Sequence, residues 1–123
     1  MTPLPGQSVE PAERGATRIA DRVVAKIAAW AAREALDAVP QGGEPPHATV
    51  TVHQETGRVR TARVRISLEL DYPSDIGRQC GAVRRHVAER VKTLAGMEVP
   101  EVAVQVERLH SAHARSAAQG RTR

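Results

Sequence analysis

The chain has almost no aromatic side chains and a single cysteine. Among its 123 residues there is no phenylalanine, and tryptophan, tyrosine and cysteine occur once each. One cysteine excludes an internal disulfide bond and any zinc site built from several thiolates. Few aromatic rings argue against a protein that stacks on nucleic-acid bases. Because alanine and valine dominate the apolar residues, we expect a core of modest stability unless the chain associates.

The chain also lacks a long apolar run. No segment approaches the roughly 20 apolar residues that a membrane-spanning helix needs. Residues 1–11 show no basic start followed by an apolar stretch, so we expect no signal peptide and a cytoplasmic protein. The net charge of +4 permits contact with phosphates or lipid head groups, although a solvated basic surface is the commoner explanation.

The longest alternating segment is residues 63–72, which predicts a strand with one buried and one hydrated face. Shorter alternations predict strands over residues 48–53 and 101–107. Residues 54–57, which end in a glycine, are predicted to form a hairpin turn. The apolar side of the central strand comprises Val64, Ile66, Leu68, Leu70 and Tyr72.

Two helices are predicted from apolar positions at helical spacing. The first spans about residues 20–38, with Asp21 or Thr17 as its cap, and Trp30 falls within its apolar stripe, which indicates a core residue. The second begins at Ser74 as the cap and ends at Gly96 as a left-handed terminator. Its predicted apolar stripe is Ile76, Cys80, Val83, Val87, Val91 and Leu94.

These elements predict a two-layer α+β domain over residues 15–109, with a disordered leader (1–14) and a disordered tail (110–123). We expect a small mixed sheet of three main strands, with both helices on one face and Leu109 closing the core. Residues 15–19 are compatible with a short fourth strand or an extended entry. The predicted order is (β)-α-β-β-α-β.

No catalytic, cofactor or metal site is predicted. Cys80 lies in an apolar stripe and is interpreted as a small buried hydrophobe. His110 and His113 have a spacing that would place both toward a metal ion, but they lie in the predicted tail without an acidic neighbour. Glu69 and Asp71 are interpreted as solvated carboxylates, and no glycine-rich phosphate loop is present. We therefore expect a protein that is not an enzyme.

Two polar features are candidates for interaction. The open side of the central strand carries charges of both signs, and the second helix repeats cations every seven residues, on nearly one line. That line suits phosphates or an acidic partner, although a solvent-exposed face is the simpler interpretation. The helix and strand order is vaguely similar to an RNA-binding KH module, but the Gly-x-x-Gly loop between two helices that defines it is missing. The candidate interaction residues are Arg63, Arg65, Glu69, Asp71, Arg78, Arg85 and Lys92.

Two stretches resemble a known family. Residues 15–28 (GATRIADRVVAKIA) resemble the opening of the alkaline shock protein family, also called the envelope stress response family of bacteria. Tyr72, the valines of the second helix and the segments LAGMEV (94–99) and VAVQV (102–106) resemble the closing half of that family. The match covers residues 15–109. Members usually have a Gly-Val segment after the first helix and a glycine after the tyrosine, where this chain has Ala38-Val39 and Pro73.

The resemblance implies a cytoplasmic, non-enzymatic protein that acts in cell-envelope homeostasis under stress. It also implies that an integral membrane protein holds the chain at the inner face of the membrane. From the residues themselves, the open side of the central strand carries both signs of charge and can pair with such an anchor or with another copy. It transfers no catalytic or ligand-binding residues. The alternative from the residues alone is a small nucleic-acid-binding module that uses the basic second helix.

Overall fold

The computed structural model describes residues 10–54, 57 and 59–111. Two helices and three strands form an α+β fold in which β2 is the central strand of a mixed sheet ordered β1-β2-β3. Strand β1 is antiparallel to β2, and β3 is parallel to it. This confirms the predicted fold class. The elements are α1 (Glu10–Ala35), β1 (His47–His53), β2 (Thr61–Tyr72), α2 (Ile76–Ala95) and β3 (Glu98–Ser111).

The core lies between the inner side of β2 and the two helices. Val64, Ile66 and Leu68 are buried, while the alternate residues Arg63 and Arg65 are exposed, so both helices cover the same side of the sheet. Helix α1 contributes mainly alanines to this core, whereas α2 contributes a row of valines. The helical core residues are Val24, Ala28, Ala31, Ala32, Leu36, Val83, Val87 and Val91.

Strand β3 contains two irregularities that alter its pairing with β2. Residues 99 and 100 lie opposite Ala62 alone, and the second of them is Pro100, which has no N–H to donate to a ladder. Further on, Val106 pairs with Leu68 but the next pair joins Arg108 to Glu69, which leaves Glu107 without a partner in the register. The second bulge shifts every later residue of β3 to the opposite face of the sheet.

Helix α1 begins earlier than the sequence predicts. It starts at Glu10 rather than near residue 20 and ends at Ala35 rather than near 38. Residues 10–14, expected in the disordered leader, and residues 15–19, where a short strand was one option, are helical. Pro11 is compatible with this start because a proline in the first turn of a helix removes no intrahelical hydrogen bond. The remainder of the predicted leader lies outside the described residues.

Helix α2 has the predicted terminator but a different cap. Gly96 adopts a left-handed conformation with φ of 66°, and its N–H donates to Lys92 O at 3.0 Å, which confirms its role. The N-cap is Asp75, whose carboxylate accepts from the backbone N–H of Arg78 at 3.0 Å. Ser74, the predicted cap, instead donates its hydroxyl to the carbonyl oxygen of Asp71.

Strand β3 is longer than predicted and continues into the expected tail. It runs from Glu98 to Ser111, whereas the alternation indicated only residues 101–107. Leu109 was expected to close the core, but it is an exposed residue of this edge strand. The rest of the predicted tail, including His113, lies outside the described residues.

Candidate functional site

The side of the sheet that faces away from the helices, called the open face here, has a basic end. Arg63 lies between Thr51 and Glu101 in the register, and both it and Arg65 are exposed. Together with Thr49 they line a shallow depression across all three strands. Among the described residues neither Arg63 nor Arg65 forms an ion pair. Their guanidinium groups therefore remain for a ligand of opposite charge.

The other end of the open face is acidic. Glu44, Glu69 and Glu107 line a second depression beside His47 and Ser67. The four-residue interval from Arg65 to Glu69 corresponds to roughly 13 Å along an extended strand. The open face thus carries exposed cations at one end and mainly carboxylates at the other, where Arg108 lies opposite Glu69 in the register.

A hydrogen bond joins the two long strands within the acidic end. His110 Nε2 lies 2.5 Å from Glu69 Oε1, and both side chains are largely buried. The second bulge of β3 makes this contact possible, because it pairs His110 with Asp71 on the open face; an unbroken register would place His110 opposite Tyr72, on the inner side. No local pattern indicated this pair, because its members are 41 residues apart in the sequence.

The loop before β1 packs over the same pair. A Cβ on Gly43 would lie 3.0 Å from His110 Nε2 and 3.2 Å from Glu69 Oε1, so only glycine fits without displacing them. The hydrogen bond from His110, aided by one from the backbone N–H of Glu44, holds the pKa of the Glu69 carboxyl below its usual value, although desolvation opposes the shift. Glu69 is thus engaged within the chain rather than solvated as predicted.

The cations of α2 lie on the helical layer and are partly neutralised. Arg78 Nη2 lies 2.6 Å from Asp37 Oδ2, and Lys92 Nζ lies 3.8 Å from Glu98 Oε1. Arg85 is exposed and has no ion pair among the described residues. The seven predicted interaction residues therefore do not converge on one site. Four lie on the open face, and three lie on the helix that covers the opposite side of the sheet.

Trp30 is not a core residue, contrary to the prediction. Its side chain is 67% exposed, and Leu94 of α2, also predicted to be buried, is 58% exposed. The two residues line an apolar groove between the helices together with Ile27, Lys26 and Arg90. The buried stripe of α1 includes Ala28, Ala31 and Ala32, and at about 100° per residue Trp30 falls outside that stripe.

The described residues that were considered for catalysis or metal binding do not assemble into a site, and His113 lies outside the described part of the chain. Cys80 is half-buried rather than fully buried as predicted, and burial raises the pKa of its thiol, with Arg84 opposing the shift. Within the described part of the chain, no group of three histidine, cysteine, aspartate or glutamate side chains is placed to hold a metal ion.

Comparison with known proteins finds no match among protein-family models, curated proteins or solved structures. The resemblance to the alkaline shock protein family accordingly stays a prediction. None of the described helices is both long enough and apolar enough to cross a membrane.

Proposed function

We propose that this protein is a non-enzymatic interaction module of the bacterial envelope stress response, which binds an integral membrane partner through the open face of its sheet. The partner holds it at the inner face of the membrane and so links it to cell-envelope homeostasis. The observation that carries the proposal is the open face itself, which has the exposed Arg63 and Arg65 at one end and the less exposed Glu69 and Asp71 at the other. The family resemblance of residues 15–109 supplies the cellular context.

The charge order of the open face favours a protein partner. A ligand with complementary charges roughly 13 Å apart fits the face in one orientation, and such complementarity provides specificity and a fast association rate. The hydrogen bond between His110 and Glu69 fixes the acidic end, so little side-chain entropy is lost there when a partner binds. Arg63 and Arg65, which form no ion pair with any other described residue, supply the charge that a partner neutralises.

The alternative, binding of nucleic acid by α2, receives less support. Arg78 is paired with Asp37, and Lys92 lies near Glu98, so the line of three cations offers Arg85 as its main unneutralised charge. Binding of RNA or DNA that weakens steeply with salt would favour this alternative, and no binding at low salt would remove it.

The test of the proposal is capture of a membrane partner by the full chain. Cross-linked membranes are solubilised in detergent, and the integral membrane proteins retained by the wild type are compared with those retained by the double variant Arg63→Glu, Arg65→Glu. The matched control is Arg84→Glu, Arg85→Glu, which changes the net charge equally on the helical layer. We expect the wild type and the control to retain one integral membrane protein that the open-face variant loses.

Two results would contradict the proposal. The first is retention of the same membrane protein by the open-face variant, and the second is the absence of any membrane protein bound by the wild type. In cells that lack this protein, the wild type and the control should restore survival under envelope stress, whereas the open-face variant should not.

A further inference from the structure

An exposed apolar patch lies on the helical layer, on the side of the molecule opposite the open face. It consists of Trp30, Leu94 and Val23, whose side chains are 67%, 58% and 48% exposed, with Ile27 half-buried between the helices. A tryptophan ring can bury 150–250 Å² and is the side chain most enriched among residues that dominate binding energy. Apolar residues grouped in this way indicate a surface that another molecule covers.

The charges around Trp30 are ordered along α1. Lys26 precedes Trp30 by four residues and Glu34 follows it by four, so the three side chains form one ridge of the helix, with each charge roughly 6 Å from the ring along the axis. Along α1 the order is a positive, an apolar and a negative side chain, so the same three side chains on a second helix that runs in the opposite direction are complementary to it. A second α1 that crosses in the antiparallel direction at Trp30 brings each Lys26 to the Glu34 of the other copy.

Both charges are able to make this contact. Glu34 interacts with His86 at 3.0 Å and with Arg90 at 3.7 Å, and both contacts use Oε1, which leaves Oε2 for a further cation. Among the described residues Lys26 forms no ion pair. Packing between helices along their i±4 ridges is the commonest geometry in globular proteins, and it aligns such ridges side by side.

We propose that two copies of this chain associate through the patch, with their α1 helices antiparallel about a two-fold axis at Trp30. The two rings and the two Leu94 side chains then form the centre of the contact, and two symmetric pairs of Lys26 and Glu34 flank it. A contact of this kind is isologous and closed, so it ends at the dimer. It lies away from the open face, and it does not depend on the function proposed above.

The size of the patch predicts a weak dimer. A standard interface buries roughly 800 Å² on each partner, and a few side chains of one helix pair supply less than that. We therefore expect a dissociation constant in the micromolar range or above, so that the population of the dimer follows the protein concentration.

The single tryptophan makes the dimer directly measurable. Trp30 is the only tryptophan of the chain, so its fluorescence reports this surface alone. We expect the emission maximum of the full chain to move to shorter wavelength as the concentration rises, in step with the dimer fraction from sedimentation equilibrium. Trp30→Ala should remain a monomer over the same range. The open-face variant Arg63→Glu, Arg65→Glu is the control and should dimerise like the wild type.

Charge reversal tests the antiparallel geometry. Lys26→Glu places like charges at both flanking contacts and should weaken the dimer about tenfold or more. The double variant Lys26→Glu, Glu34→Lys restores opposite charges and should recover the dimer. An equimolar mixture of the single variants Lys26→Glu and Glu34→Lys should form a heterodimer more readily than either variant dimerises alone. Circular dichroism of every variant verifies that it is folded.

Several results would overturn the proposal. A wild-type chain that is monomeric at millimolar concentration, with constant Trp30 emission, would exclude the dimer. A dimer that survives Trp30→Ala would place the contact elsewhere. Failure of the charge-swapped double variant to recover would refute the antiparallel arrangement. A shift of the emission by anionic vesicles, in a chain that remains monomeric without them, would assign the patch to a lipid surface instead.

Discussion

Replacement of Trp30 by alanine should cost the folded monomer little, and the structure gives the magnitude. The side chain is 67% exposed, so only a third of its surface, at most about 80 Å², is removed from water on folding. At about 25 cal/mol per Å² this corresponds to about 2 kcal/mol. The better helix propensity of alanine returns about 0.5 kcal/mol, so we expect Trp30→Ala to lower the free energy of unfolding by about 1.5 kcal/mol.

A tryptophan in the core would behave differently. Its truncation to alanine costs about 3–5 kcal/mol, because a cavity adds to the lost transfer free energy. Leu68→Ala is the internal comparison, since Leu68 is only 2% exposed beneath the helices and its truncation should cost about 2–5 kcal/mol. The smaller residue should therefore have the larger effect on stability.

The assay is equilibrium unfolding in urea, followed by circular dichroism because the variant has no tryptophan. The protein concentration is kept low enough for the wild type to be monomeric, so that loss of the proposed dimer does not enter the comparison. Equal m-values for the variants would show that the denatured state is unchanged. A loss above about 3 kcal/mol for Trp30→Ala would refute the exposed position of the ring, and with it the apolar patch.

Three further predictions concern local features. Gly96→Ala should lower the free energy of unfolding by about 1 kcal/mol, because the φ of 66° at this position disfavours a side chain. Gly77→Ala should raise the free energy of unfolding by up to about 1 kcal/mol, because the space around this helical glycine is open. Thermal unfolding distinguishes the two signs. Asp75→Ala should cost about 1 kcal/mol through loss of the N-cap, and Asp75→Asn much less, as judged by urea midpoints. His110→Ala should lower the free energy of unfolding at neutral pH, because it removes the hydrogen bond to the ionised carboxylate of Glu69. The difference in this free energy between the variant and the wild type should disappear as the pH falls through the lowered pKa of Glu69, since the protonated carboxyl no longer provides the stabilisation. A difference between wild type and His110→Ala that persists unchanged in acid, in urea unfolding at successive pH values, would contradict this assignment.

The charged residues of the candidate site were predictable from the sequence, but their contacts with distant residues were not. Alternation along residues 63–72 is enough to assign Arg63 and Arg65 to a hydrated face, because successive side chains of a strand point to opposite sides. The line of cations on the second helix was also predicted, but not the pairing of Arg78 with Asp37, which joins residues 41 positions apart. Ion pairs of this kind depend on how two helices lie against each other, and a local pattern contains no such information.

The sequence by itself determined the elements and their class. Period-two alternation and helical spacing are local consequences of backbone geometry, so the three strands, the two helices and the mixed sheet followed from them. Only the tertiary structure decided which side of α1 is inside. The buried stripe of α1 runs through Ala28, Ala31 and Ala32, and this rotation of the helix leaves Trp30 in solvent. The bulge in β3 likewise reverses the faces of the last residues, which brings His110 to Glu69. Both outcomes depend on the packing of distant segments, because side-chain volume and strand register are settled only when the layers meet.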